Sequence, residues 1–154
     1  MKNRSLNSIL RLVSIGLAAI GLVDTIYLSY VKIAHSEVYC GGSRACDTVN
    51  SSPYSEIAGI PIAYLGLAAN IAILLLLYME TRGDFWKQYS PLIVFGMTLA
   101  GTLYSIYLTY IEIAVLRAIC PYCVVNAVVV LLLFVISLIR LFGDTTSQIL
   151  QEVV

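Results

Sequence analysis

Four cysteines and a single histidine are the side chains of this sequence best equipped for chemistry, and the cysteines fall into two pairs. Cys120-Pro-Tyr-Cys123 is a C-x-x-C, a spacing associated with redox pairs. At the mouth of a helix, positions i and i+3 bring the two sulfurs together. Pro121 then takes a first-turn position where its missing N–H costs nothing, and the helix dipole favours a thiolate, the attacking species in disulfide exchange. The plainer alternative is two buried cysteines acting as small apolar residues. Cys40 and Cys46 bracket Gly41-Gly-Ser-Arg-Ala45, a segment whose glycines keep it flexible and whose Arg44 favours a thiolate by charge. This pair either swings between a partner and the helix pair or closes a static ring. Four cysteines also suit a tetrahedral metal site, so thiol redox chemistry, soft-metal handling and structural cross-linking are all open on the count alone.

The elements that hold these residues are apolar helices. Of 154 residues, 60% are hydrophobic and 12% charged, and the mean hydropathy is +0.90, too apolar for a domain with a water-facing surface. Nine basic residues balance nine acidic ones, so no field favours nucleic acid. Residues 12–33, 60–79, 91–116 and 120–142 are each long and apolar enough to span a bilayer. The expected architecture is a single all-α integral membrane domain over residues 1–154, a four-transmembrane-helix bundle with an outward-facing cysteine loop at residues 34–59 and a short interfacial helix within it. The first apolar run outlasts a signal core and reads as a retained helix.

Basic residues in short loops set the orientation. With the N-terminus inside, Lys2, Arg4, Arg11, Arg82, Lys87 and Arg140 face the cytoplasm against Lys32, Arg44 and Arg117 outside. N- and C-termini are therefore expected inside and all four cysteines outside, where disulfides persist. That side, and the lack of a cytoplasmic acceptor cysteine, favour disulfide exchange over metal transfer.

Thr25-Ile-Tyr-Leu-Ser-Tyr-Val-Lys-Ile-Ala34 returns as Ser105-Ile-Tyr-Leu-Thr-Tyr-Ile-Glu-Ile-Ala114, and the same offset brings Cys40 onto Cys120. A parallel duplication is the reading this suggests. It places Lys32 and Glu112 at equivalent positions with opposite charge, an expected ion pair tying the first and third spans. Asp24 lies within the first span, where an ionisable group is a functional candidate unless it is close to the interface. Tyr27, Tyr30, Tyr107 and Tyr110 read as an aromatic belt and packing stripe, and His35 carries little weight. Ser51 and Ser52 precede Pro53-Tyr-Ser-Glu56, which reads as a short capped helix. Asn126 falls one turn below Cys123 and needs a partner there, either a quinone carbonyl or a neighbouring helix.

Cys40-x5-Cys46, Asn50-Ser-Ser-Pro-Tyr54, Gly59-Ile-Pro61 and Cys120-Pro-Tyr-Cys123-Val-Val-Asn126-Ala127, in that order, resemble the vitamin K epoxide reductase family in its bacterial and archaeal form, over almost the whole chain. The resemblance implies a prokaryotic cell-membrane thiol oxidoreductase with catalytic Cys40, Cys46, Cys120 and Cys123 and no heme or metal. It implies that Cys40 exchanges with a thioredoxin-like protein outside the cytoplasm, that Cys46 exchanges with Cys120, and that Cys123 faces a quinone of the ubiquinone or menaquinone type. Ser51, Ser52 and Asn126 are the quinone contacts expected beside Cys123. Disulfides in exported proteins would be the result. Many bacterial relatives carry a fused thioredoxin-like domain, whereas this chain ends at Val154, so the partner is expected to be a separate protein. Ala58 and Ala127 stand near where the animal enzymes place an asparagine and a tyrosine, so epoxide reduction does not carry over.

Overall fold

The computed structural model describes residues 2–40, 42 and 44–152, with side chains described over 6–83 and 85–143 among these. Gly41 and Ser43 of the cysteine loop, and the side chains of Lys2 and Arg4 used above for orientation, fall outside the described residues. Four helices are long and apolar enough to cross a membrane: Leu6–Ala34, Ile62–Met79, Phe85–Leu116 and Pro121–Gly143. The chain is an all-α membrane bundle. Its shortest span, 18 residues, reaches about 27 Å at the rise of an α-helix, close to the ~30 Å hydrocarbon thickness. Large apolar side chains face outward all round, among them Leu12, Val23, Ile33, Leu103 and Ile106, each more than 60% exposed, as a lipid-facing surface requires.

Helix α1 runs Lys2–Ala34. It stops because His35 turns left-handed at φ 48° and the Ser36 N–H closes back on the Val31 carbonyl at 3.2 Å, a Schellman-type ending. The outer loop is more ordered than its glycines suggest. It contains helix α2 (Ala45–Asn50), a 3₁₀ turn (Pro53–Ser55), and strands β1 (Glu56–Ile57) and β2 (Ile60–Pro61). The strands pair antiparallel, Ile57 opposite Ile60, across Ala58 and Gly59, both at positive φ, as a two-residue hairpin demands.

Helix α3 covers Ile62–Met79. Helix α4 covers Asp84–Tyr110 and continues as a π-helical segment, Ile111–Leu116. Helix α5 covers Pro121–Glu152. Helix α4 starts seven residues before the expected boundary and passes through Pro91; the aromatic cluster of Phe85, Trp86 and Tyr89 anchors that first stretch, and membrane helices tolerate an internal proline.

Helix α1 packs on α3 and α5, and α4 packs on α5. Where α1 meets α3, Gly21 leaves no room for a side chain: a Cβ there would stand 2.7 Å from Asn70 Oδ1, the close approach that small residues permit between membrane helices. One buried cluster fills the middle of the bundle with Ala18, Ile73, Leu77, Val94, Val129 and Leu133. A second, of Leu28, Val31, Val38, Cys46, Val49 and Cys120, lies under the outer loop. At the opposite end Arg140, 4% exposed, pairs with Glu80 and donates to Asn7 Oδ1 at 2.9 Å.

Candidate redox site

All four cysteines converge at the loop end of the bundle. Cys40 and Cys46 form a disulfide with a Cα separation of 6.0 Å, while Cys120 and Cys123 are free thiols. Cys46 and Cys120 are 0% and 1% exposed and belong to the same buried cluster, against which Cys40 and Cys123 pack from its edges. The structure therefore joins the loop pair to the helix pair through their two buried members.

Cys120 is the residue before helix α5, and its sulfur accepts the Cys123 N–H at 3.4 Å while its carbonyl accepts the first helical bond, from the Val124 N–H, at 3.0 Å. It occupies the N-cap position with a sulfur where a hydroxyl or carboxylate oxygen usually sits. Hydrogen bonding from the Cys123 thiol, assisted by backbone N–H groups of Cys123 and Tyr122, lowers the Cys120 pKa below that of an ordinary thiol, although burial and the nearby Glu112 act the other way. The activated sulfur is thus Cys120, the member of the pair that touches the loop.

The loop is fastened down by specific bonds. Asp47 Oδ1 accepts the Val38 N–H at 2.7 Å. The peptide groups on either side of Tyr39 are held by two tyrosines: the Tyr39 N–H donates to the Tyr27 hydroxyl at 3.2 Å, and the Tyr122 hydroxyl donates to the Tyr39 carbonyl at 3.1 Å. The Tyr27 and Tyr122 rings also pack, centroids 5.1 Å apart. Tyr122 lies between the two helix cysteines and Tyr39 immediately precedes Cys40, so this clamp links the two pairs. Tyr30, Tyr107 and Tyr110 are exposed and fit the belt; Tyr27 does not, being turned inward to the clamp.

Beneath the loop lies a cavity of about 100 Å³, lined by residues of the roof (Val49, Asn50, Ser52, Tyr54 and Ser55) and of all four spans. Cys123 and Asn126 both line it. Asn126 Oδ1 is buried with no hydrogen-bond partner among the described residues, so the neighbouring-helix bond that would account for it is not made. Ser52 lines the cavity, with its hydroxyl on the Val49 carbonyl at 2.7 Å rather than capping the 3₁₀ turn that follows. Ser51 is exposed, bonds the Asp47 carbonyl and does not line the cavity.

The expected Lys32–Glu112 pair does not form. Lys32 Nζ instead reaches the roof, 3.3 Å from Glu56 Oε1 and 2.8 Å from the Asn50 carbonyl. Glu112, 3% exposed, accepts the Cys120 N–H on Oε2 at 3.2 Å and shares the cavity wall with Cys123. The two copies of the repeat end differently: α1 closes as an α-helix, whereas the second copy loosens into a π segment that ends with Arg117 at φ 49°. Asp24 is buried, with Oδ2 unpaired among the described residues, in a groove between α1 and α5 that it shares with Tyr27 and Tyr122.

Quinones have apolar rings with two carbonyl acceptors. The cavity offers matching chemistry in its mostly apolar walls, a thiol and one unsatisfied amide, the composition of a small-molecule site. Among the described residues no group of three His, Cys, Asp or Glu could hold a metal ion. A model of the vitamin K epoxide reductase family matches residues 12–138. That span contains all four cysteines, the roof and nearly the whole membrane bundle, and the chain belongs to this family of membrane thiol–disulfide oxidoreductases.

Proposed function

We propose that the protein oxidises a thioredoxin-like partner on the outer side of a prokaryotic cell membrane and passes the electrons to a ubiquinone or menaquinone in the cavity beneath the loop, so that exported proteins gain disulfides. The observation that carries this reading is the stacking of the two pairs: the loop disulfide lies over the helix pair through buried Cys46 and Cys120, and the inner member of the helix pair, Cys123, lines the cavity.

Burial orders the exchanges. Cys40 is the more accessible sulfur of the loop disulfide, since Cys46 is fully buried. A partner thiolate attacks Cys40 and releases Cys46 as a thiolate beside Cys120. Cys46 then attacks Cys120 in an oxidised helix pair, reforming a disulfide and freeing Cys123. The bound quinone supplies a two-electron, two-proton acceptor. The partner's second cysteine attacks the mixed disulfide, so that the partner leaves oxidised and Cys40 is freed; Cys40 then attacks Cys46 and releases Cys120, leaving the loop oxidised and the helix pair reduced, ready to discharge into the cavity. Asn126 supports the reading because its amide can turn either its N–H₂ or its oxygen inward, matching a carbonyl or a hydroxyl. The balance of basic residues supports a cysteine end that faces outward and termini that face inward.

Anaerobic quinone absorbance tests this, using purified protein, a reduced thioredoxin-like protein, and the variants Cys46→Ala and Cys123→Ala. Quinone reduction that requires both cysteines is expected. No reduction of any quinone by the unaltered protein would overturn the electron path.

A further inference from the structure

We infer that Glu112 is a catalytic residue, the group that takes the proton of the Cys123 thiol and delivers it to the acceptor in the cavity. This rests on the reading that the acceptor is a quinone.

Converting two thiols and a quinone to a disulfide and a quinol moves two electrons and two protons, and the protons must travel through groups that can carry them. Among the described residues that line the cavity, Glu112 is the one carboxyl and there is no lysine, arginine or histidine. Glu112 also stands beside both reacting cysteines, accepting the Cys120 N–H at 3.2 Å and lining the same cavity as Cys123. No cation is paired with it among the described residues: Lys32, the partner its position in the repeat suggests, is engaged with Glu56 and Asn50. An unpaired carboxyl is costly to bury and is retained in membrane interiors chiefly for function.

The backbone beneath it is specialised as well. Glu112 is the second residue of the π segment, a rare wide turn that is frequent at functional sites, and its own carbonyl accepts the Ala118 N–H at 3.1 Å across that turn. The turn back to Cys120 is thereby closed over the carboxyl that serves Cys120 and Cys123. Three features therefore coincide on one residue: an atypical helical turn, a buried acid with no cation beside it among the described residues, and a place next to both reacting cysteines at the cavity wall.

In the step itself the Cys123 S–H bond breaks and its proton passes to the Glu112 carboxylate. A sulfur–sulfur bond forms between Cys120 and Cys123 as two electrons leave for the quinone. Glu112 gives its proton to one quinone oxygen and returns to the carboxylate. The proton lost from Cys120 is released at the outer mouth, and one proton taken up from water completes the second hydroxyl. Atoms, charge and electrons balance.

Glu112→Gln keeps the size and the oxygen that accepts the Cys120 N–H but cannot carry a proton. Two measurements test it. In quinone-free protein lacking the loop pair (Cys40→Ser, Cys46→Ser), ferricyanide oxidises Cys120 and Cys123 without accepting protons, and a pH indicator counts those released. The glutamate protein is expected to release one proton fewer than the glutamine variant, because Glu112 keeps it. With quinone, single-turnover reduction is expected to slow by on the order of 100-fold in Glu112→Gln, within the usual range for general acid–base catalysis, with quinone affinity within about twofold of the unaltered protein, a spread of less than 0.5 kcal/mol, and with loop-to-helix disulfide exchange no slower, since the charge removed is one that raises the Cys120 pKa. Equal proton release, or unchanged turnover, would overturn the assignment, as would matching losses in turnover and in loop-to-helix exchange, the pattern of a structural role. Failure of the unaltered protein to reduce any quinone would instead strike the quinone reading and leave the proton count to judge Glu112 alone.

Discussion

Removing the two tyrosine hydroxyls that hold Tyr39 should loosen the cysteine loop by a calculable amount. Tyr27→Phe deletes the acceptor of the Tyr39 N–H and Tyr122→Phe deletes the donor to its carbonyl, while the ring contact between them at 5.1 Å is preserved. Both bonds are neutral and exposed, so each nets about 1 kcal/mol, equivalent to roughly a fivefold rise in the undocked population at RT ≈ 0.59 kcal/mol. Losing both should cost about 2 kcal/mol and raise that population roughly 30-fold, less any coupling through the residue they share. The remaining fastenings, Val38 N–H on Asp47 and burial of Val38, Cys46 and Val49, keep the loop docked for most of the time. Hydrogen–deuterium exchange of the α2 amides reads the change directly, because the buried residues Cys46 and Val49 anchor that helix and its amides exchange through opening of the segment. Exchange should quicken about fivefold in each single variant and more in the double. Rates within twofold of the unaltered protein in the double variant would refute the clamp and leave loop docking to apolar burial alone.

Further outcomes follow from the site. Cys120 owes its lowered pKa first to the Cys123 thiol, so a pH titration of thiolate ultraviolet absorbance should find the Cys120 midpoint higher in Cys123→Ala than in Cys123→Ser, where a hydroxyl still donates; equal midpoints would remove Cys123 as the cause. The same depression has a sign for stability. A thiol whose folded pKa is lowered contributes most above its unfolded pKa, near 9, and loses that contribution as pH falls through the folded value, so the gap in thermal stability between the parent and Cys123→Ala should narrow on acidification. Asn126→Leu removes the orphaned Oδ1, whose burial without a partner costs about 1–3 kcal/mol. The ligand-free protein should melt at a higher temperature while its KM for quinone rises severalfold, and a rise in KM with a lower melting temperature would argue that Asn126 serves packing.

The spans and the cysteine pairs were readable from the chain because both rest on local rules: four apolar runs of spanning length, and a C-x-x-C beside a proline at a helix start. Boundaries drifted where the interface allows continuation, as at Pro91, which α4 passes through. Glycines and serines made the outer loop look loose, yet Asp47, Tyr27 and Tyr122 fix it through bonds between segments distant in sequence, and no periodicity records those. Ser51 and Ser52 are adjacent and chemically alike, but only Ser52 faces the cavity. Glu112 is where position in the repeat misleads. Equivalence in the repeat made it the mate of Lys32, but the second copy ends in a π turn, so matched sequence positions do not occupy matched surroundings. The signal that could have found it was a lone acid eight residues before the first helix cysteine in an otherwise apolar run.

Arg140 joins α5 to Asn7 of α1 and to Glu80 at the turn after α3, fastening three of the four spans at the end remote from the cysteines. The loop end is held in a different way, by Lys32 of α1 on Glu56 and Asn50 of the roof. One substitution at Arg140 would therefore loosen three spans together at the end far from the cysteines, whereas one at Lys32 would release only the roof from α1.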